Sequence, residues 1–183
     1  MDPRRCTGAS TTDRAHHFHE VTDAEVLAHR LDAPAVRGEV PGPPPVFEDR
    51  ERPLHAEALR HLPQGGFARP SEVTELHDGD QLDFGGGARV LHVPGHTPGS
   101  VALHLAEHGV LFTGDSVAAS PVDGKVMPGV FNVDRAQMLD SFAQLAAIGA
   151  SITCCGHGGP IMGSWSPARV SAATPTPPPP SLS

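Results

Sequence analysis

The chain has 183 residues, which is a typical length for one domain. Its 13 Lys and Arg residues against 21 Asp and Glu residues give a net charge of −8, which argues against a nucleic-acid partner. No apolar run reaches the ~20 residues that span a membrane, and the three cysteines are an odd number, as is typical of a reducing compartment. We therefore expect a cytoplasmic protein that binds neither nucleic acid nor membranes.

The N-terminal region begins without apolar periodicity and then carries a histidine-rich run. Residues 1–15 are predicted to be a disordered lead-in. His17 and His19, in the run that follows, are two residues apart, so both side chains lie on one face of an extended chain, as chelation of a metal requires. A histidine-rich surface patch has the same pattern. The sequence leaves both interpretations open.

The next part of the chain alternates short apolar segments with turn-forming residues. Apolar side chains at helical spacing favour a helix around Leu54 and Ala58, whereas the proline-rich residues 41–45 exclude one. Residues 77–80 predict a hairpin turn between two strands. The predicted elements are strands at 25–29, 72–76 and 81–84, a connector at 31–39, an extended linker at 41–45 and a helix at 47–62.

Three apolar strands later in the chain each lead to a histidine or an aspartate beside glycine. The strands are predicted at 89–93, 110–113 and 151–155, and they lead to His96, Asp115 and His157, respectively. Histidine and carboxylate are the ligand set of catalytic zinc. Each of these residues could instead stabilise its own turn. The placement of all three beyond strand ends favours a metal site.

The strongest helix pattern follows the second of these strands. Met138, Phe142 and Leu145 recur at helical spacing, which predicts a helix at 134–148. The remaining predicted features are a strand at 100–105, a loop at 120–130 and a disordered tail, rich in Pro and Ser, at 164–183.

Three segments of the sequence, in this order, resemble the metallo-β-lactamase-fold hydrolases. They read PGHTPGS at residues 94–100, LFTGDS at 111–116 and GHGGP at 156–160. The resemblance implies an α/β fold, the αββα sandwich of that family, in residues 16–163. It also leads us to expect that the N-terminal part of the sandwich is truncated.

The resemblance also implies which residues bind metal. By the family pattern, His96 ligates a first metal, His157 ligates a second, and the catalytic Asp115 bridges the two. The implied cofactor is zinc, as one or two ions, or another divalent metal.

A further motif of the family, HxHxDH, is matched only in part. His17 and His19 fit its first two positions and are therefore additional candidate metal ligands. Val21 and Thr22 stand where the motif has Asp and His. We expect that a segment after Glu20 is absent, together with the strands that normally precede the motif. Such a loss would expose a sheet edge, which favours a homo-oligomer.

Two functions are compatible with these features. The first is a zinc-dependent hydrolase of a small-molecule substrate, in which metal-activated water attacks the carbonyl of a lactone, a thioester or a β-lactam. The second, which the incomplete motif favours, is a catalytically inactive remnant or pseudo-enzyme with at most one metal site.

Overall fold

The computed structural model describes residues 25–60, 69–70, 72–120 and 123–167. These ranges contain nine strands: β1 (Leu27–His29), β2 (Thr74–Leu76), β3 (Gln81–Leu82), β4 (Ala88–His92), β5 (Val101–Leu105), β6 (Val110–Ala119), β7 (Val126–Pro128), β8 (Ile152–His157) and β9 (Ile161–Met162). They also contain three α-helices: α1 (Ala33–Arg37), α2 (Glu51–Arg60) and α3 (Arg135–Ala147). None of the helices in the described ranges is long and apolar enough to cross a membrane.

Seven of the strands form one large sheet. Its order is β3-β4-β5-β6-β8-β9, and β7 pairs with β6 outside this path. β6 and β8 run parallel, whereas the other neighbours in the sheet are antiparallel. Because parallel strands point the same way, the end of β6 lies beside the end of β8, with Ala118 opposite His157. β1 and β2 form a separate parallel sheet of two strands.

The large sheet has a hydrophobic core on each face, because successive side chains along a strand point to opposite faces. On one face it packs against α3, and the buried members of this core are Val93, Ala102, Leu111, Val117, Met138, Phe142, Leu145 and Ala150. On the other face, Val90 and Leu103 pack against Leu76 of β2. The layers are therefore helix, large sheet and small sheet, as expected for the predicted sandwich.

Most predicted elements form with shifted ends. The helix predicted at 134–148 is α3, and Asp134 caps its start by accepting a hydrogen bond from the Gln137 amide at 3.0 Å. The helix predicted at 47–62 begins at Glu51, and residues 61–68 lie outside the described part of the chain. The strands predicted at 25–29, 72–76, 81–84, 89–93, 100–105 and 151–155 correspond to β1, β2, β3, β4, β5 and β8.

Several predictions about the connections are wrong. The connector at 31–39 contains α1, which has a proline in its first turn. The loop at 120–130 contains β7, which pairs with β6. The turn at 77–80 does not close a hairpin, because β2 pairs with β1 while β3 pairs with β4. Turn-forming residues predict a local reversal of the chain, but the partner of each strand depends on long-range packing.

Packing against the core continues to Trp165, just beyond the boundary expected at residue 163. The Trp165 ring lies 4.8 Å, centroid to centroid, from that of Phe142. Its Nε1–H donates a hydrogen bond to Thr153 Oγ1 at 3.0 Å. The predicted lead-in at 1–15 and the part of the predicted tail beyond residue 167 lie outside the described residues.

A pair of stacked histidines joins the small sheet to the large one. The rings of His29 in β1 and His92 in β4 are nearly parallel, at 9°, with centroids 4.0 Å apart. The Leu31 amide donates to His29 Nδ1 at 3.4 Å, which requires that nitrogen to be unprotonated. Burial, together with the neighbouring His92, lowers the pKa of His29 below its ordinary value of 6.5.

The depressed pKa of His29 predicts a fold that weakens in acid. Between the pKa of His29 in the folded chain and its ordinary value of 6.5, the unfolded chain binds more protons than the folded chain. The contribution of neutral His29 to stability is therefore complete above pH 6.5 and is lost as the pH falls below that value. Urea unfolding at a series of pH values should show this loss. His29→Phe, which keeps a stacked ring without a titrating nitrogen, should flatten the profile, and an unchanged profile in that variant would assign the acid sensitivity to other groups.

Candidate metal centre

Asp115 lies at the centre of the candidate site and is buried, with a side chain 5% exposed. The sequence predicted it in a loop beyond a strand, but β6 continues through Asp115 to Ala119. The strand is irregular at this point: its register with β8 shifts on both sides of Gly114, which has a φ of +53°. Such a break in register, of which a β-bulge is one form, re-aims side chains within a strand.

The two carboxylate oxygens of Asp115 face two different histidines. His96 Nε2 lies 3.6 Å from Oδ2, and His157 Nε2 lies 3.5 Å from Oδ1. Both distances are long for a hydrogen bond between a ring nitrogen and a carboxylate oxygen, for which about 2.7–3.2 Å is typical. Two ligand atoms on one tetrahedral zinc ion are separated by roughly 3.4 Å, given zinc–ligand bonds of about 2.0–2.1 Å. The spacing therefore fits one carboxylate shared between two metal positions.

His96 is oriented by its other ring nitrogen. Its Nδ1 lies 3.1 Å from the carbonyl oxygen of Val130, and because a carbonyl only accepts, Nδ1 carries the proton and donates. Nε2 then presents a lone pair toward Asp115. A backbone carbonyl that fixes the tautomer in this way is the usual support of a metal-bound histidine. The His96 side chain is 12% exposed, so the orientation is also restricted by packing.

The loop that carries His96 is hydrogen-bonded to the first part of α3 and to the residues just before it. Its residue Gly95 accepts a hydrogen bond from the Asp134 amide at 2.9 Å, and His96 accepts one from Val133 at 3.2 Å. The hydroxyl of Ser141 in α3 donates to the Pro94 carbonyl at 2.7 Å. The helix therefore holds the position of the His96 backbone.

A second set of hydrogen bonds to this loop comes from Asp32, whose role in the site no sequence motif indicates. Its carboxylate accepts hydrogen bonds from the Thr97 hydroxyl and from the Gly99 amide, the latter at 2.8 Å. Asp32 occupies the N-cap position of α1 but makes no side-chain bond to that helix. Its position before Pro34 indicates a helix start, and no local pattern indicates a partner 65 residues away.

Replacing Asp32 with alanine should loosen the loop that carries His96. The substitution removes two hydrogen bonds to a charged group, each worth about 1.5–3 kcal/mol, so we expect a loss of about 2–4 kcal/mol of stability. Urea unfolding measures this loss. The exposed Asp83, replaced in the same way, should change stability by less than about 0.5 kcal/mol. Equal losses of stability in the two variants would show that the hydrogen bonds of Asp32 do not stabilise the loop.

His157 is the last residue of β8 and is placed differently from His96. The sequence predicted it beyond a strand, whereas the structure includes it in the strand, with a side chain 72% exposed. The preceding Gly156 makes room for the carboxylate, because a Cβ there would lie 2.1 Å from Asp115 Oδ1. An exposed imidazole at the edge of the site can adjust its position when a ligand binds.

The three residues line a cavity of about 220 Å³. Its other side chains are Leu54, Ala118, Ala119, Met127, Val130 and Phe131. The carboxylate therefore lies at the base of a pocket whose remaining walls are apolar. A buried negative charge beside two imidazoles in such a pocket is suited to binding divalent cations.

The described residues do not by themselves complete a metal site. They contain no group of three or more His, Cys, Asp or Glu side chains placed to hold one ion. The predicted ligands His17 and His19 lie outside the described residues. Cys155, near the site, is a poor candidate because burial raises its pKa to about 11, which keeps the thiol protonated.

Comparison with known proteins agrees with this architecture. The model of the metallo-beta-lactamase superfamily matches residues 14–157, which include all five predicted metal ligands. A hydroxyacylglutathione hydrolase of Aeromonas salmonicida is 40% identical over 108 residues, which cover 54% of this chain and 40% of the relative. The protein of the same name from Ruegeria pomeroyi is 38% identical over 116 residues, which cover 61% of this chain and 41% of the relative. The chain thus spans about two fifths of the length of these relatives.

Solved structures give the same result. The crystal structure of TTHA1623 in a di-iron-bound form has a TM-score of 0.51 and 26% identity, covering 82% of this chain and 66% of its own. A metallo-beta-lactamase family protein from Thermus thermophilus has a TM-score of 0.52 and 26% identity, covering 79% of this chain and 50% of its own. The sheet order, the layers and the family match lead to one conclusion: the chain belongs to the metallo-β-lactamase superfamily.

Proposed function

We propose that this chain is a metal-dependent hydrolase of a small-molecule carbonyl compound, and that a thioester is its favoured substrate class. The observation that carries the proposal is the placement of the two Asp115 oxygens, each opposite the Nε2 atom of a different histidine. Relatives named hydroxyacylglutathione hydrolase support the choice of a thioester over the lactones and β-lactams that the sequence motifs also allow.

In this proposal the two histidines of the site bind different metal ions, and Asp115 binds both. His96 and Asp115 would hold one ion, and His157 and Asp115 would hold the other. His17 and His19 are proposed as further ligands on the His96 side, by the family motif. Imidazole and carboxylate suit zinc as well as iron, and one similar structure is described as di-iron-bound. A divalent metal in such a site lowers the pKa of water and polarises a carbonyl group.

The chain itself supplies position and environment. In the neutral imidazole, the hydrogen bond from Nδ1 to the Val130 carbonyl places the lone pair on Nε2 of His96, where it can bind a metal. The buried charge of Asp115 favours cations, and the remaining described side chains of the pocket are apolar. The exposed His157 lies on the open side, where a leaving group can depart. These roles together are those of a preorganised hydrolytic site.

One observation favours a second candidate, a metal-binding protein without hydrolytic activity. Val21 and Thr22 occupy positions where the family motif has a further aspartate and histidine. The loss of two ligands would leave the metal opposite His157 with fewer than the three protein ligands typical of catalytic zinc. Under this alternative the protein binds at most one ion tightly and does not turn over any substrate.

Turnover with defined metals separates the two candidates. The purified chain would be loaded with Zn²⁺ or Fe²⁺ and assayed with an S-hydroxyacyl glutathione thioester, a γ-lactone and a β-lactam. We expect metal-dependent turnover of the thioester, its loss with a chelator and its loss in His96→Ala. The control is His77→Ala, which removes a histidine that is 60% exposed and outside the pocket, and it should retain activity. Metal binding with no turnover of any substrate would favour the inactive alternative.

A further inference from the structure

The cavity beside Asp115 has an unusual wall at Phe131. This residue has a φ of +61°, the only positive φ of a residue other than glycine in the described part of the chain. A bulky side chain in the left-handed region costs about 1–3 kcal/mol and persists only where its surroundings impose it. Phe131 lines the cavity directly after Val130, whose carbonyl orients His96. The strain is therefore located between a candidate metal ligand and the pocket wall.

A buried glutamate in α2 holds Phe131 in this conformation. The backbone amide of Phe131 donates to Glu51 Oε1 at 3.3 Å, and the amide of Glu48 donates to Glu51 Oε2 at 3.0 Å. Glu51 is only 2% exposed. The Phe131 ring is further fixed by edge-on contacts with Phe47 and His55, at centroid distances of 6.0 Å and 5.3 Å. Both the backbone amide and the ring of Phe131 are therefore contacted by neighbouring residues.

The composition of the cavity indicates what it accepts. Apart from the three candidate ligand residues, the side chains that line it in the described part of the chain are uncharged and apolar. Its volume of about 220 Å³ is smaller than the roughly 300–1,000 Å³ of pockets that enclose a drug-sized ligand. A glutathione conjugate as a whole exceeds this volume and carries two carboxylates, for which the apolar side chains among the described lining residues offer no cationic partner. The cavity has room for one of the two groups attached to a carbonyl carbon, and the other group would lie outside it.

We propose that this cavity is an acyl pocket that binds a short, uncharged apolar acyl chain, and that Phe131, held by Glu51, determines the length of chain it accepts. The proposal rests on the hydrolase function proposed above and specifies its substrate. The acyl chain lies against Leu54, Met127 and Phe131, while the thiol or alcohol part lies toward the exposed His157. Each methylene buried in the pocket should strengthen binding roughly fourfold until the chain reaches the ring.

Binding of methyl ketones tests the pocket without requiring turnover. A series from 2-butanone to 2-octanone mimics the acyl carbonyl but cannot be hydrolysed, and NMR shifts of backbone amides give its affinities for the metal-loaded and the metal-free chain. We expect affinity to rise roughly fourfold per methylene and then to level off. The carboxylate 4-oxopentanoate should bind at least about tenfold more weakly than 2-hexanone. No dependence on chain length, or equal binding of the carboxylate, would overturn the proposal.

Phe131→Gly is the variant that tests the specificity role, because glycine adopts a positive φ without strain and the fold should be retained. In this variant we expect the affinity to keep rising for ketones that are longer by two or more methylenes before it levels off. The control is Phe84→Ala, which removes a phenylalanine that is 36% exposed and outside the cavity. This variant should bind each ketone with the same affinity as the unsubstituted chain. If a folded Phe131→Gly variant showed the same dependence of affinity on ketone length, Phe131 would not determine the accepted chain length.

The ketone series also separates this proposal from the hydrolase function. If ketones bind with the expected dependence on length but no ester, thioester or lactone is turned over, the acyl pocket is supported and the hydrolase function fails. If thioesters are turned over with no dependence on acyl length, the hydrolase function is supported and the acyl pocket fails.

Discussion

Replacing Asp115 with asparagine is expected to weaken divalent-metal binding by at least about 100-fold. Loss of groups that merely support a metal ligand already costs 10–100-fold in affinity, and Asp115 is placed to be a ligand itself. The neutral amide offers one oxygen where the carboxylate offers two, so it cannot face both His96 and His157 with an acceptor. Titration calorimetry with Zn²⁺ measures the change, and thioester turnover should disappear with it.

The matched control for this substitution is Asp123→Asn. Asp123 is also a well-paired aspartate, with an oxygen 2.7 Å from Lys125 Nζ, which is first among the groups that hold its pKa at about 2. It lies outside the cavity, so its loss should leave metal affinity unchanged. Similar affinities of the Asp115 variant and the wild type would show that Asp115 is a structural residue of β6 rather than a metal ligand.

Replacing Gly95 with alanine is expected to have the largest effect on stability, a loss of about 3–5 kcal/mol. A Cβ at this position would lie 2.2 Å from the amide nitrogen of Met138, which is backbone of α3 and cannot rotate away. The φ of +131° adds conformational strain. Because domains of this size are stable by only 5–15 kcal/mol, we expect a clear drop in the midpoint of urea unfolding.

Gly87→Ala separates the clash from the backbone strain. Gly87 has a φ of +105°, but a Cβ there would meet nothing within 4 Å. This variant should lose only the strain energy, about 1–2 kcal/mol. If the two variants were equally stable, the close approach of the His96 loop to α3 would not be a constraint on the fold.

The positions of the candidate ligands could be predicted largely because the signal is local. His96, Asp115 and His157 each follow a short apolar segment beside a glycine, and the resemblance to a known family ordered them into one site. The sequence did not indicate that β6 continues through Asp115. An apolar run ending at Gly-Asp is typical of a strand end, and only the pairing with β7 and β8 extends the strand further.

The residues that support the site could not be predicted, because they act over long sequence separations. Asp32 contacts the His96 loop 65 residues away, and Glu51 holds Phe131 80 residues away. Nothing in the neighbouring sequence distinguishes either carboxylate from an ordinary helix residue. The pairing of β2 with β1 was missed for the same reason: the packing of Leu76 against Val90 and Leu103 places β2 in the small sheet.

We propose that Asp115 joins two metal positions, one at His96 and one at His157. Imidazole ¹⁵N NMR during a zinc titration tests it most directly, because the resonance of the nitrogen that binds the metal shifts. We predict shifts of Nε2 in both His96 and His157 and none in the exposed His77. At zinc concentrations that saturate the unsubstituted chain, Asp115→Asn should show neither shift. Zinc that shifts only one of the two histidines, or that shifts both equally in Asp115→Asn, would contradict a carboxylate shared between two metals.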